Sequence, residues 1–285
     1  MDLYLSAIIQ GLCYSCLGLG VYISLRIFRI PDITTDGSFT LGGATAAMML
    51  LSGWNPWISL AATVITGMAA GALTGIITTR MRVHPLLAGI LVMTALYSIN
   101  LALMGRSNVT VDTTLGLVDV SDGQWIQTIA ITILFALGLM LILLWILKTD
   151  LGIAMRATGN NERMSVANGI AVGPMKTIGL ALANGLTAVS GYLLVQYQGF
   201  ADINMGVGIV ISGLAAVMIG ESISKILFRN SMAGLLLCVV IGSVIFRLAI
   251  AQSLTLGLNP NYLKLATAVI VLAIVGLSSF KNKES

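Results

Sequence analysis

Long apolar runs separated by short polar turns make up nearly the whole chain. A membrane-crossing helix needs about 20 mostly apolar residues, and that template predicts spans at 3–25, 37–53, 57–79, 85–104, 125–147, 175–197, 205–220, 231–250 and 263–280. The pattern describes an all-α polytopic membrane protein of about nine transmembrane or re-entrant helices, in a single domain over 1–285. The runs at 37–53 and 205–220 are short, which leaves open whether they cross fully. One interval breaks the rhythm: 148–176 holds six of the 26 charged residues and cannot lie in lipid. It reads as a short amphipathic helix flanked by turns. Gly152 and Gly159 punctuate it, Asn160-Asn161-Glu162-Arg163 starts a helical turn carrying Met164, Val166 and Ala167, and Asn168-Gly169 stops it. Pro174 then opens the next span, where its missing N–H costs nothing. A small helix on the membrane surface can dock by its apolar side into a partner's groove.

Charge orients the spans. With 148–176 placed in the cytoplasm, Arg26, Arg29, Arg80, Arg82, Lys148, Arg156, Arg163, Lys176, Lys225, Arg229, Lys281 and Lys283 fall inside. Only Arg106, Arg247 and Lys264 fall at or near the outer side, and the acidic loop with Asp112, Asp119 and Asp122 falls outside. This satisfies the positive-inside rule and predicts an outside N-terminus and an inside C-terminus. Composition narrows the class further. Charged residues are 9% of the chain and the mean hydropathy is +0.98, against about 25% charged in soluble domains. The net charge of +4 is scattered in ones and twos beside apolar runs, which is loop bias and no nucleic-acid surface. The start, Met1-Asp2-Leu3, lacks the basic region of a secretory signal. Cys13 and Cys16 lie in an apolar helical run without a second pair and read as buried, inert thiols. No cluster of His, Cys or carboxylates offers an enzyme active site or a metal site.

Several local patterns add detail. Gly67, Gly71 and Gly75 repeat every fourth residue on one face, a close-packing seam between helices of the same chain. Trp54-Asn-Pro-Trp57 forms an interfacial outer turn, and His84 reads as interfacial beside Arg80 and Arg82. The stretches 31–43 and 201–208 each put an Asp and small or polar residues into the start of a short run. Two such segments, one running outward and one inward, fit an inverted repeat whose broken helices line a substrate path; equally, Asp36 and Asp202 could simply cap helix N-termini. The candidate path residues are Asp36, Ser38, Thr40, Tyr97, Asn100, Asn184 and Asn204. Apart from Asp36 and Glu221 near the ends of spans, the bundle centre is expected to hold no carboxylate.

Three stretches carry a family resemblance. Gly152-x-x-x-Arg156-Ala157 with Asn161, Ala167 and Gly169-Ile170, followed by Ala183, Gly185, Ala188 and Gly191, is the first. Asp36-Gly-Ser-Phe-Thr-Leu-Gly-Gly43 and Gly213-Leu-Ala-Ala-Val-Met-Ile-Gly-Glu221 are the others. Together they resemble the permease subunits of ATP-binding-cassette (ABC) importers, in the branch of branched-chain amino acid and ribose-type permeases, and look most like amino-acid importers assigned to aromatic amino acids. The resemblance implies that Gly152, Arg156, Ala157, Asn161, Glu162, Ala167, Gly169 and Ile170 belong to a coupling segment that contacts an ATPase. It implies a second permease subunit forming a homodimer, two ATPase subunits, an extracytoplasmic substrate-binding protein and a bacterial plasma-membrane location. ATP and magnesium would sit on the ATPase, with no cofactor in this chain, which lacks a Gly-x-x-x-x-Gly-Lys-Ser/Thr phosphate loop. The competing readings are a sugar or nucleoside permease of the same type, an ion-coupled secondary transporter, and a membrane scaffold.

Overall fold

The computed structural model describes residues 2–113, 116–118, 125–228, 231–257 and 262–281; Asp119, Asp122, Arg229 and Lys283 lie outside them. A helix falls on each expected span: α1 Asp2–Val21, α2 Thr34–Leu51, α3 Pro56–Arg80, α4 Pro85–Met104, α5 Trp125–Lys148, α8 Val172–Gln198, α9 Ile209–Leu227, α10 Met232–Thr255 and α11 Leu263–Lys281. Two short helices, α6 Asp150–Asn160 and α7 Glu162–Ala167, occupy the polar interval. Among the described residues, seven helices are long and apolar enough to cross a membrane, namely α1, α3, α4, α5, α8, α9 and α10. Chain entry into α3 shows why such boundaries form. Asn55 accepts a hydrogen bond from the Trp57 N–H at 2.9 Å and Pro56 takes the first helical position, the usual cap and starter.

α2 is not among the seven, and its composition gives the reason. Thr34, Thr35, Ser38, Thr40 and Thr45 interleave with Gly37, Gly42 and Gly43, so no face is apolar enough for lipid, and nearly all of it is buried. α8, α3 and α4 enclose it. Small residues make that enclosure tight: a side chain at Gly42 would strike the backbone of Ala188, and one at Gly191 the carbonyl of Phe39. The expected seam on α3 is intramolecular. Gly67 lies against Ala188 and Asn184, Gly71 against the Leu180 carbonyl, and Gly75 against the backbone of Thr177, all on α8. Cys13 and Cys16 are free and buried.

One end of the bundle gathers the basic turns. Gly159 of α6 packs on Ile27 and Phe28, Arg26 pairs with Glu221 at 2.7 Å, and Gly173 lies beside Thr79. Positive-inside logic makes this the cytoplasmic end. The opposite end holds the Tyr4–Gln252 hydrogen bond at 2.6 Å, and a feature the all-helical expectation lacked. Asn108–Thr110 (β1) pairs antiparallel with Phe200–Asp202 (β2), Asn108 opposite Asp202, tying two outer loops together. α1 runs from this outer end to the basic end, where its last turn widens into a π-helix, Tyr22–Ile27; α8 runs the other way.

Contacts between helices follow a repeat. α3 lies along α8 as α10 lies along α1, and α2 packs on α8 as α9 packs on α1. The pairs α2–α3, α2–α4 and α3–α4 recur as α9–α10, α9–α11 and α10–α11. α9 corrects the sequence boundary at both ends. Its segment 203–208 is a turn, with Gly208 at φ +81°, and the helix starts at Ile209 and continues through Glu221 to Leu227.

Candidate functional site

The first residues of α2 and α9 meet, and Asp36 joins them. Its carboxylate accepts hydrogen bonds from the backbone N–H groups of Gly208 at 2.8 Å and Val210 at 3.1 Å. Asp36 therefore caps a helix N-terminus, though it is the N-terminus of a different helix from its own. An ionised carboxylate there complements the partial positive charge of α9 and satisfies N–H groups that α9 itself leaves open. The depth of this junction can be read against α8. Ser38 donates to Asn184 Oδ1 at 2.7 Å, and Asn184 stands 12 residues after Val172 and 14 before Gln198. The junction thus lies halfway along the longest helix.

Asn184 organises a second set of polar groups on the α8 side of α2. Its Nδ2 donates to Asp32 Oδ2 at 2.7 Å and to the Leu180 carbonyl at 3.0 Å. Asp32 Oδ1 accepts from the Thr34 N–H at 2.9 Å, and Thr34 shares a 2.7 Å hydroxyl contact with Thr74 of α3. Asp32, Ser38 and Asn184 are buried. Asp32 overturns the expectation that, apart from Asp36 and Glu221, the bundle centre holds no carboxylate. Asp32 escaped notice because it precedes the helix. The Asp-x-Thr spacing, whose side chain serves the N–H two residues on, is the local signal that could have found it.

The candidate path residues divide accordingly. Asp36, Thr40, Tyr97 and Asn100 line one small cavity of about 40 Å³ between α2, α4 and the turn 203–208. Ser38 and Asn184 face the buried network on the other side of α2. Asn204 is exposed in the turn, where its N–H donates to Asp202 Oδ1 at 2.8 Å.

At the basic end, the polar interval holds two helices where one was expected. Gly152 and Gly159, read as punctuation, sit inside α6. Each permits a close approach instead, Gly152 to Leu147 at the end of α5 and Gly159 to Ile27. Arg156 turns back toward the same junction, donating to the carbonyls of Gly152 at 3.3 Å and Leu147 at 3.2 Å. α6 is thus fastened under α5 and α1, with Ala157 half-buried. The chain breaks at Asn161 (φ −154°), whose side chain caps α7 by accepting from the Met164 N–H at 3.1 Å. Gly169 at φ +79° closes α7, and the Ile170 N–H returns to the Ser165 carbonyl at 2.9 Å, a Schellman-type stop. Glu162 reaches Lys176 at 2.6 Å. Asn161, Glu162, Ala167 and Gly169 are exposed, Ile170 is half-buried, and Met164 and Val166 point outward at 65% and 62% exposure.

Known proteins place this architecture. The family model for the permease component of branched-chain amino acid transport systems matches residues 3–276. The tyrosine transport system permease protein of Clostridioides difficile is 35% identical over 273 residues, 95% of this chain and 90% of that one. A Rickettsia prowazekii protein of unassigned function is 33% identical over the full length of both chains. The ribose import permease of Escherichia coli is 25% identical over 88% of this chain and 78% of its own. The Clostridioides difficile and Escherichia coli relatives are named as permeases. The fold resembles a solved ABC transporter of the metal-chelate type in an inward-facing conformation, with a TM-score of 0.51 at 16% identity, covering 98% of this chain and 85% of that one. With a polar junction at mid-bundle, a helix pair at the basic end and a family match over nearly its whole length, the chain belongs to the branched-chain amino acid transport system permease family of ABC transporters, as a multi-pass membrane protein.

Proposed function

We propose that the chain is the translocation subunit of an ATP-driven amino-acid importer in a bacterial plasma membrane, working as a homodimer with two ATPase subunits and an extracytoplasmic substrate-binding protein. ATP and magnesium belong to the ATPase. The observation that carries the reading is α7: a capped helix at the basic end that exposes Met164 and Val166 while it packs on α6, which is itself fastened against α5. An exposed apolar pair on a rigidly mounted helix suits insertion into a groove, and the mounting passes a displacement of the ATPase into the helix ends it touches. Amino acids are favoured over sugars by the likeness to the tyrosine permease, 35% identical against 25% for the ribose permease.

The helix pairing supports an inverted repeat of α1–α4 in α8–α11, since equivalent helices run in opposite directions. α2 and α9 then begin at the centre and leave toward opposite faces, the arrangement of discontinuous helices around a path. Buried Asp32 favours one rival, a secondary transporter with carboxylate-coupled ions.

Reconstitution in liposomes decides between them. With an ATPase and binding protein from neighbouring genes, tyrosine uptake should need ATP, and Met164→Glu with Val166→Glu should abolish substrate-stimulated ATP hydrolysis in a folded permease. Uptake driven by an ion gradient in liposomes without the ATPase would defeat the importer reading.

A further inference from the structure

The ends of α1 and α6 enclose a cavity of about 200 Å³ at the basic end of the bundle. Its lining is cationic. Arg26 and Arg29 come from the end of α1 and the turn after it, Arg156 from α6, and Tyr22 and Asn160 add neutral donors. Among the described residues, none that lines it is a carboxylate. Glu221, which holds Arg26 Nε at 2.7 Å, belongs to a neighbouring hollow with Leu214 and Val217. Arg26, Arg29 and Asn160 are exposed, so the cavity is reached from outside the protein. Arg156 is only partly occupied: of the five N–H groups of a guanidinium, it gives one each to the Gly152 carbonyl, the Leu147 carbonyl and the Met232 sulfur. The remaining donors are on its Nη atoms. The positive-inside rule accounts for arginines at this end, but not for three of them around one hollow. Like charges gathered there repel, and an anion brought among them turns that repulsion into attraction.

We infer that this cavity is a binding site for a phosphate group. The planar fork of arginine matches phosphate oxygens in pairs. The apolar span of α1 ends at Ile27, which sets the cavity at the level of the headgroups of the cytoplasmic leaflet, where anionic phospholipids concentrate phosphate. Its volume of about 200 Å³ takes several groups the size of a water molecule, whose share of liquid volume is about 30 Å³. That suits a phosphate with its ester oxygens and leaves acyl chains outside. Soluble phosphate in the cytoplasm carries the same group to the same side. From either source, the bound anion bridges α6 to the end of α1 and adds to the contact of Gly159 on Ile27.

The test titrates delipidated permease in detergent micelles and reads the shift of its melting temperature. The probes are phosphatidylglycerol, phosphatidylcholine and inorganic phosphate. Phosphatidylglycerol should bind at least about tenfold tighter than phosphatidylcholine, whose choline the arginines repel. Arg29→Gln, at an exposed position, should weaken phosphatidylglycerol about fivefold, the worth of one cation beside an anionic headgroup. Asn160→Asp sets a carboxylate at the cavity and should weaken it at least as much. Arg80→Gln removes a charge at the same end but outside the cavity and should change nothing. Unaltered melting temperatures without ligand check that all three variants fold. If the two lipids bind alike while inorganic phosphate stabilises wild type and not Arg29→Gln, the source is soluble phosphate and the site stands. Equal losses from Arg29→Gln and Arg80→Gln would mean diffuse attraction to a basic surface and overturn it. So would phosphatidylglycerol and phosphate effects, or their absence, that are the same in wild type, Arg29→Gln and Asn160→Asp.

Discussion

Asn184→Leu removes the side chain that ties α8 to α2 and to the segment before it, with little change of volume. Three hydrogen bonds go, to Asp32, Leu180 and Ser38. Interhelical bonds in membrane proteins average only about 0.6 kcal/mol, up to about 1.7, so their simple loss is modest. The larger cost comes from what is stranded. Ser38 is left buried with a bare hydroxyl, about 1–3 kcal/mol. Asp32 keeps only the Thr34 N–H, and a buried polar group short of a partner costs about 1–3 kcal/mol more. Allowing for relaxation and water entry, the expected destabilisation is about 4 kcal/mol. Ser38→Ala removes one neutral donor and should cost about 1 kcal/mol. Because both act through the same amide, the double variant should be no worse than Asn184→Leu alone, a coupling of about 1 kcal/mol. Equilibrium unfolding in detergent micelles titrated with SDS, followed by circular dichroism, measures all three. A cost below about 1 kcal/mol for Asn184→Leu, or strict additivity with Ser38→Ala, would refute the network as a structural hub.

Other substitutions probe the remaining features. Gly71→Val would drive a side chain into the Leu180 carbonyl and should abolish folded yield in size-exclusion chromatography. Gly138→Ala, where nothing lies within 4 Å, should be neutral or stabilising by up to about 1 kcal/mol in the same SDS titration. Asp36→Ala bares the N–H groups of Gly208 and Val210 and should cost about 2–3 kcal/mol, with faster amide hydrogen exchange confined to the start of α9; uniform protection would count against the Asp36 junction. Glu162→Gln breaks a pair whose carboxylate side is 58% exposed, so thermal stability should change by less than about 1 kcal/mol.

Much of this arrangement was legible in the sequence, because lipid imposes a simple rule on helix length and charge. The spans, the basic side, the seam at Gly67, Gly71 and Gly75, and the stop at Asn168-Gly169 are all local patterns. What was not legible depended on partners far away in the chain. The groups that Asp36 caps are more than 170 positions on, since Gly208 is separated from it by 172, and its own surroundings say only that a cap is present. Gly152 and Gly159 send the same signal whether a helix ends or another backbone comes close, and here the second applies. Of the seven candidate path residues, four share a cavity. Ser38 and Asn184 differ from them only in the face of α2 they meet, which a helical period cannot label when every face is buried.

The seam between α3 and α8 also ties the protein to the thickness of its membrane. At 1.5 Å per residue, their 25 and 27 residues extend about 38 and 40 Å, against a hydrocarbon core of about 30 Å. The glycine contacts bind the two side by side, so neither can lean without the other, and the surplus must be taken up by a shared tilt or by protrusion at the basic end. Only the four residues 168–171 separate α7 from α8, so that tilt sets how far α7 stands from the bilayer surface. Bilayer thickness becomes a mechanical input: a thinner membrane would lean the pair further or leave more of it protruding, and change the height at which α7 stands.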